Sequence, residues 1–104
     1  MVTKVDFETE AIEFGSGIAP KPVGVSIQID DAPPRYYAFG HPTKNNCEEV
    51  DAYGALLKVW DHDLCFHHGK FDIGVAMQHW GFAWPKRWHD TMYLVYLDNP
   101  LLPT

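Results

Sequence analysis

The sequence predicts a mixed α/β sheet with helices packed on it, and three observations lead there. Residues 23–29 alternate apolar with small or polar side chains, and residues 35–39 follow a proline-containing turn as the second arm of a hairpin. Residues 49–60 and 70–80 carry apolar positions at helical spacing. A short apolar stretch, 64–67, lies between those two helices, so the hairpin leads into a strand–helix–strand arrangement.

Taken in order, residues 3–8 read as a strand with Val5 and Phe7 on one face and Lys4, Asp6 and Glu8 on the other. Residues 10–22 contain Gly15, Gly17, Pro20 and Pro22 and read as a loop. In 23–29, Val23, Val25, Ile27 and Ile29 share a face opposite Gly24, Ser26 and Gln28. Asp30-Asp31-Ala32-Pro33-Pro34 is a turn, and 35–39 is a third strand, antiparallel to the second. After a polar loop over 40–47, Asn46 with Glu49 resembles a capping box for a helix reaching about Trp60, with Ala52, Leu56 and Val59 inward. Asp61-His62-Asp63 breaks that helix, and 64–67 fits a buried fourth strand. The spacing of Ile73, Met77 and Trp80 predicts a second helix over 70–80, stopped by Gly81. Pro85 and the aromatics around it read as a loop; 90–97 fits helix or strand by periodicity, and Asn99-Pro100 ends it.

With 104 residues the chain is long enough for one domain with one modest core. Its 46% hydrophobic and 14% aromatic content predicts a packed domain. No apolar run approaches the roughly 18 residues of a membrane span, and no secretory signal is visible. Cys47 and Cys65 are therefore read as reduced thiols of a cytoplasmic protein. The net charge of -6 argues against a general nucleic-acid binder with a basic footprint. It is compatible with an enzyme whose acids hold cations.

Asp6 and Glu8 stand at i and i+2 of a strand and so share a face. Neighbouring carboxylates repel, and a cation between them relieves the repulsion. The plain alternative is two solvated surface acids. Asp72 lies in the first turn of the second helix, where the helix dipole favours a carboxylate. It is either a simple helix-start acid or a third ligand facing the first strand.

Together these segments resemble the proofreading-type 3′→5′ exonuclease domain of family A DNA polymerases, and closest to it the short phage-type exonucleases related to DNA polymerase I. Asp6-Phe7-Glu8 is similar to the family's first motif, Asp-x-Glu. His68-Gly69-Lys70-Phe71-Asp72 is similar to the second, Asn-x-Lys-(Phe/Tyr)-Asp. Pro22-Val23-Gly24-Val25-Ser26 resembles the family's second strand, and His89-Asp90-Thr91-Met92 its Asp-Thr-hydrophobic segment. The resemblance runs in order through nearly the whole chain. It implies a ribonuclease-H-like mixed sheet with flanking helices, and membership of the nucleases that use four acidic residues. It departs at His68, which replaces the usual Asn. It departs again at the third motif, Tyr-x-x-x-Asp or His-x-x-x-Asp, which has no counterpart before Thr104. Residues 1–104 are thus expected to form one C-terminally incomplete domain.

The mechanism that the resemblance implies is two-metal hydrolysis of a phosphodiester at a DNA 3′ end, releasing a nucleoside 5′-monophosphate. Two Mg²⁺ or Mn²⁺ ions about 4 Å apart would share the work. Asp6 would bridge them, Glu8 would bind one and place the water, and Asp72 would bind the second ion through its shell. His68 and Lys70 would touch the single-stranded substrate. With one acid lacking, weak metal binding and little or no hydrolysis are expected of this chain alone. The implied setting is a bacterial or phage-infected cytoplasm. The implied partners are DNA, a polymerase or the lacking C-terminal part, and a further copy through an apolar sheet face left uncovered. The alternative is a non-catalytic nuclease-fold module that binds nucleic acid or a polymerase.

Other residues carry weaker signals. His62, His67 and His68 near Cys65 lack the paired spacing of a structural zinc site. His79 falls on the Asp72 side of its helix, with a packing or surface role as the plain reading. Trp80, Phe82, Trp84 and Trp88, with Lys86 and Arg87 among them, either stack bases or close the end of the second helix. In the family pattern Asp90 caps a helix and supports the sheet, so it is left out of the metal site.

Overall fold

Strict alternation over the first residues builds strand β1 (Val2–Thr9), with Thr3, Val5 and Phe7 buried and Lys4, Asp6 and Glu8 exposed. The computed structural model describes residues 1–11, 15 and 17–91. β2 (Pro22–Ile29) runs antiparallel to β1, pairing Asp6 with Ser26 and Glu8 with Gly24. A turn follows in which Asp30 adopts a φ of 49°, a region that aspartate tolerates better than most residues. Its carboxylate accepts the Val2 N–H at 2.9 Å, which ties the turn to the start of β1. β3 (Arg35–Ala38) pairs antiparallel with β2, setting Tyr36 beside Ser26 and Ala38 beside Gly24.

Helix α1 (Glu49–Val59) leads into β4 (Asp63–Phe66), which lies parallel to β1. Helix α2 (Gly69–Trp80) then returns the chain to β5 (Trp88–Asp90), parallel to β4. The sheet order is β3-β2-β1-β4-β5. Both helices cover one face: α1 lies over β2 and β3, and α2 over β1, β4 and β5. Between them sits the core, in which Val25, Leu56, Leu64, Ile73 and Ala76 have no accessible surface. The mixed α/β architecture read from the sequence is thus present in the described residues.

Several local expectations are corrected. The residue that caps α1 is Glu48, whose N–H donates to Asp51 at 2.9 Å, and not Asn46. Asn46 instead extends the sheet edge: its Oδ1 accepts the Ala38 N–H and its Nδ2 donates to the Tyr36 carbonyl, both at 2.8 Å. In α2, Met77 is 39% exposed, and the inward stripe is Ile73, Ala76 and Trp80 with Asp72 and Val75. Gly81 ends α2 as expected, at a φ of 69° that suits glycine. β5 lies inside the aromatic stretch that was read as a loop. Among the described residues the open face of the sheet carries Lys4, Asp6, Glu8, Ser26, Gln28 and Cys65, because that half of each alternating strand points there. Cys47 and Cys65 are free thiols. No described helix is long and apolar enough to cross a membrane.

Candidate active site

The site begins where two strands part. β1 and β4 pair only as far as Lys4 beside Cys65. Past that row, α2 starts at Gly69 and its first turn carries Asp72 against β1. Asp72 is 2% exposed, and its carboxyl takes a hydrogen bond from the Phe7 backbone N–H. Its Oδ2 has no hydrogen-bond partner among the described residues. Burial, then the charge of Asp6, pushes its pKa up to about 8, against the lowering pull of the Phe7 N–H; Asp90 adds a smaller raising effect. Near neutrality Asp72 therefore keeps a proton that an ordinary aspartate has lost. An orphaned oxygen in a buried carboxyl, with a second carboxylate beside it, is a costly arrangement that a bound cation relieves.

The start of α2 is held from β5. The Gly69 N–H donates to Asp90 Oδ2 at 3.0 Å. A Cβ at Gly69 would come within 2.4 Å of the Trp88 ring, so glycine alone allows this approach. Asp90 thus supports the start of α2, while its charge also reaches Asp72. His68 and Lys70 flank the same turn with exposed side chains. The His68 ring stands edge-on to His67, 5.0 Å between centroids, and His67 Nδ1 contacts the Thr91 hydroxyl at 2.9 Å.

Glu8 is drawn the other way. The Tyr36 hydroxyl donates to Glu8 Oε2 at 2.6 Å, and His41 Nε2 lies 3.7 Å from Glu8 Oε1. Tyr36 crosses Gly24 to reach Glu8; a Cβ at Gly24 would sit 2.3 Å from the phenol oxygen. Partial burial, then the hydrogen bond to Glu8 and its charge, raises the Tyr36 pKa to about 12. The charge of Asp6 thus reaches the Asp72 carboxyl, while Glu8 is held on the β3 side. Among the described residues, no three histidine, cysteine or carboxylate side chains are gathered to hold a metal ion as they stand. Tyr36 and His41 were not singled out in the sequence. The signal for them was Gly24, the residue without a side chain directly across from Glu8.

The remaining candidates have plain roles. His79 Nε2 contacts the Ala19 carbonyl at 2.6 Å while Gln78 accepts the Ala19 N–H, so this helix end pins the loop before β2. Trp80 and Phe82 are buried in the core, whereas Trp84 is 55% exposed and stands edge-on to Trp88. The element read over 90–97 lies outside the described residues beyond Thr91. No protein-family model matches the chain, and comparison with curated proteins likewise finds no match.

Proposed function

We propose that the chain carries a ribonuclease-H-like domain of the 3′→5′ exonuclease type, in which Asp6 and Asp72 hold a divalent cation and Glu8 is the third acid. The observation that carries this reading is the buried Asp72 carboxyl, unpartnered at Oδ2 and charge-coupled to Asp6. The three-stranded antiparallel unit continued by parallel β4 and β5 supports it as well, since a mixed sheet with flanking helices is what the resemblance implies. Carboxylate oxygens suit Mg²⁺ or Mn²⁺. When bound, such an ion supplies an activated water at neutral pH and offsets charge on the phosphodiester.

The chain's own residues have distinct tasks in this reading. Asp72 gives up its proton and offers Oδ2, while the Phe7 N–H keeps the carboxyl oriented. Asp6 approaches from the exposed face of β1. Exposed Lys70 and His68 meet the phosphates of a single-stranded 3′ end and offset part of the acidic charge.

Mn²⁺ titration followed by paramagnetic broadening of amide signals tests the reading. Broadening centred on Asp6, Phe7 and Asp72, abolished in Asp72→Asn, is the expected result. Broadening spread over unrelated surface acids, with Asp6 and Asp72 untouched, would overturn it. A 3′-labelled single-stranded DNA should be cut little or not at all by the chain alone, and any release should be of 5′-mononucleotides that Asp6→Asn eliminates. A second reading, a non-catalytic module binding nucleic acid or a polymerase, is favoured by Glu8 being held by Tyr36 and His41. DNA binding that survives Asp6→Asn and Asp72→Asn, with no site-centred broadening, selects that reading.

A further inference from the structure

We propose that Tyr36 and His41 are positioning residues for Glu8, forming a latch that keeps this carboxylate beside β3 and out of the Asp6–Asp72 pair. The inference rests on the metal-binding reading of that pair. The hydrogen bonds allow one ordering of protons. A phenol has a single proton, and Tyr36 donates it to Glu8 Oε2 at 2.6 Å. At the 2.7 Å contact between the same hydroxyl and His41 Nε2, the hydroxyl must therefore accept. The His41 ring then carries a proton on Nε2, which also faces Glu8 Oε1 at 3.7 Å. Both oxygens of Glu8 are thus faced by donors from the β3 side.

The backbone is arranged to permit this. Glu8, Gly24 and Ala38 form one cross-strand row, and only a glycine in its middle leaves room for the Tyr36 ring to lie across it. His41 is held in turn by the loop after β3: its N–H donates to Asn45 Oδ1 at 2.8 Å, and its carbonyl accepts from Asn45 Nδ2 at 3.1 Å. The Tyr36 and His41 rings also meet edge to face, 6.1 Å between centroids. A charge-assisted hydrogen bond of this length is among the stronger ones, so releasing Glu8 has a real cost. While that bond stands, the pair has two acids; when it opens, Glu8 becomes available as a third.

The test uses the full chain and Mn²⁺ alone as probe. Tyr36 is 39% exposed, so Tyr36→Phe removes the hydroxyl without emptying the core. The variant should bind Mn²⁺ at the Asp6–Asp72 pair about tenfold more tightly than the parent. Adding Glu8→Gln should cancel the gain. His41→Ala should give a smaller gain in the same direction. In the parent, ¹⁵N spectra should show His41 protonated at Nε2, an ordering that Tyr36→Phe disturbs. Equal or weaker Mn²⁺ binding by Tyr36→Phe, with binding still lost in Asp72→Asn, overturns the latch and leaves the metal pair standing. Absence of site-centred Mn²⁺ binding in the parent and in every variant overturns the pair itself, and the latch with it.

Discussion

Asp72 concentrates the chemistry of this chain in one carboxyl. Its native pKa of about 8 stands well above the value near 4 of an unfolded aspartate. Between those two values the native state holds a proton that the unfolded chain has released. Stability is therefore full below about pH 4, falls as pH rises towards 8, and stays low beyond, with a slope of at most ~1.4 kcal/mol per pH unit from this group. Asp72→Asn keeps an oxygen for the Phe7 N–H and removes the titration. The variant should be less pH-sensitive than the parent and more stable than it at about pH 8, while differing little at about pH 4. Urea denaturation of both proteins across that range measures the difference directly. A parent and variant with parallel pH profiles would show that Asp72 titrates as an ordinary acid. If Asp72 holds the proposed cation, Mn²⁺ competes with this proton, and its affinity should rise as pH approaches 8.

At the scale of elements, the legible parts of the sequence were those where one local rule decided the outcome. Alternation in 3–8 and 23–29 placed both strands and set which side faces the core, and with it the shared exposed face of Asp6 and Glu8. The placement of Asp72 in the first turn of α2 followed from a helix start after a buried strand. Three features depended on contacts distant along the chain and were not legible. β5 has only three residues and no period of its own; it exists because β4 offers it a parallel edge. Met77 satisfied helical spacing as well as Ala76, and tertiary packing chose the smaller residue. Asn46 has the right type for an N-cap, yet it serves the backbone of β3. That last role yields a test. Asn46→Ala removes two hydrogen bonds and leaves the Ala38 N–H without its partner, which should cost about 1–3 kcal/mol. Amide exchange should quicken first in β3 and in the loop to His41. Uniform exchange across the sheet would mean that Asn46 is a bystander.

For the whole molecule, the question is how firmly the core governs the site, and Phe7 is where the two meet. Its backbone N–H holds Asp72, and its ring stands edge-on to Trp80 at 5.3 Å. Trp80 in turn touches Phe39, Tyr53 and Phe82 with centroids within 5.9 Å, and its indole N–H donates to Glu49 at 2.8 Å, joining α2 to α1. Trp80→Ala would empty this hub and should cost ~3–5 kcal/mol, a large share of the stability of a small domain. Trp80→Phe keeps the ring packing but gives up the Glu49 bond, and should cost about 1–2 kcal/mol while preserving the fold. Trp80 and Asp72 are eight positions apart on α2, about 12 Å along its axis, so independent sites there would add. Because both lean on Phe7, they should not. A double-mutant cycle of Trp80→Phe with Asp72→Asn, measured at about pH 8, should return a coupling energy of at least ~0.5 kcal/mol. A value of zero would mean that the aromatic core settles the fold without setting the position of the Phe7 backbone, and that Asp72 is held from the helix alone.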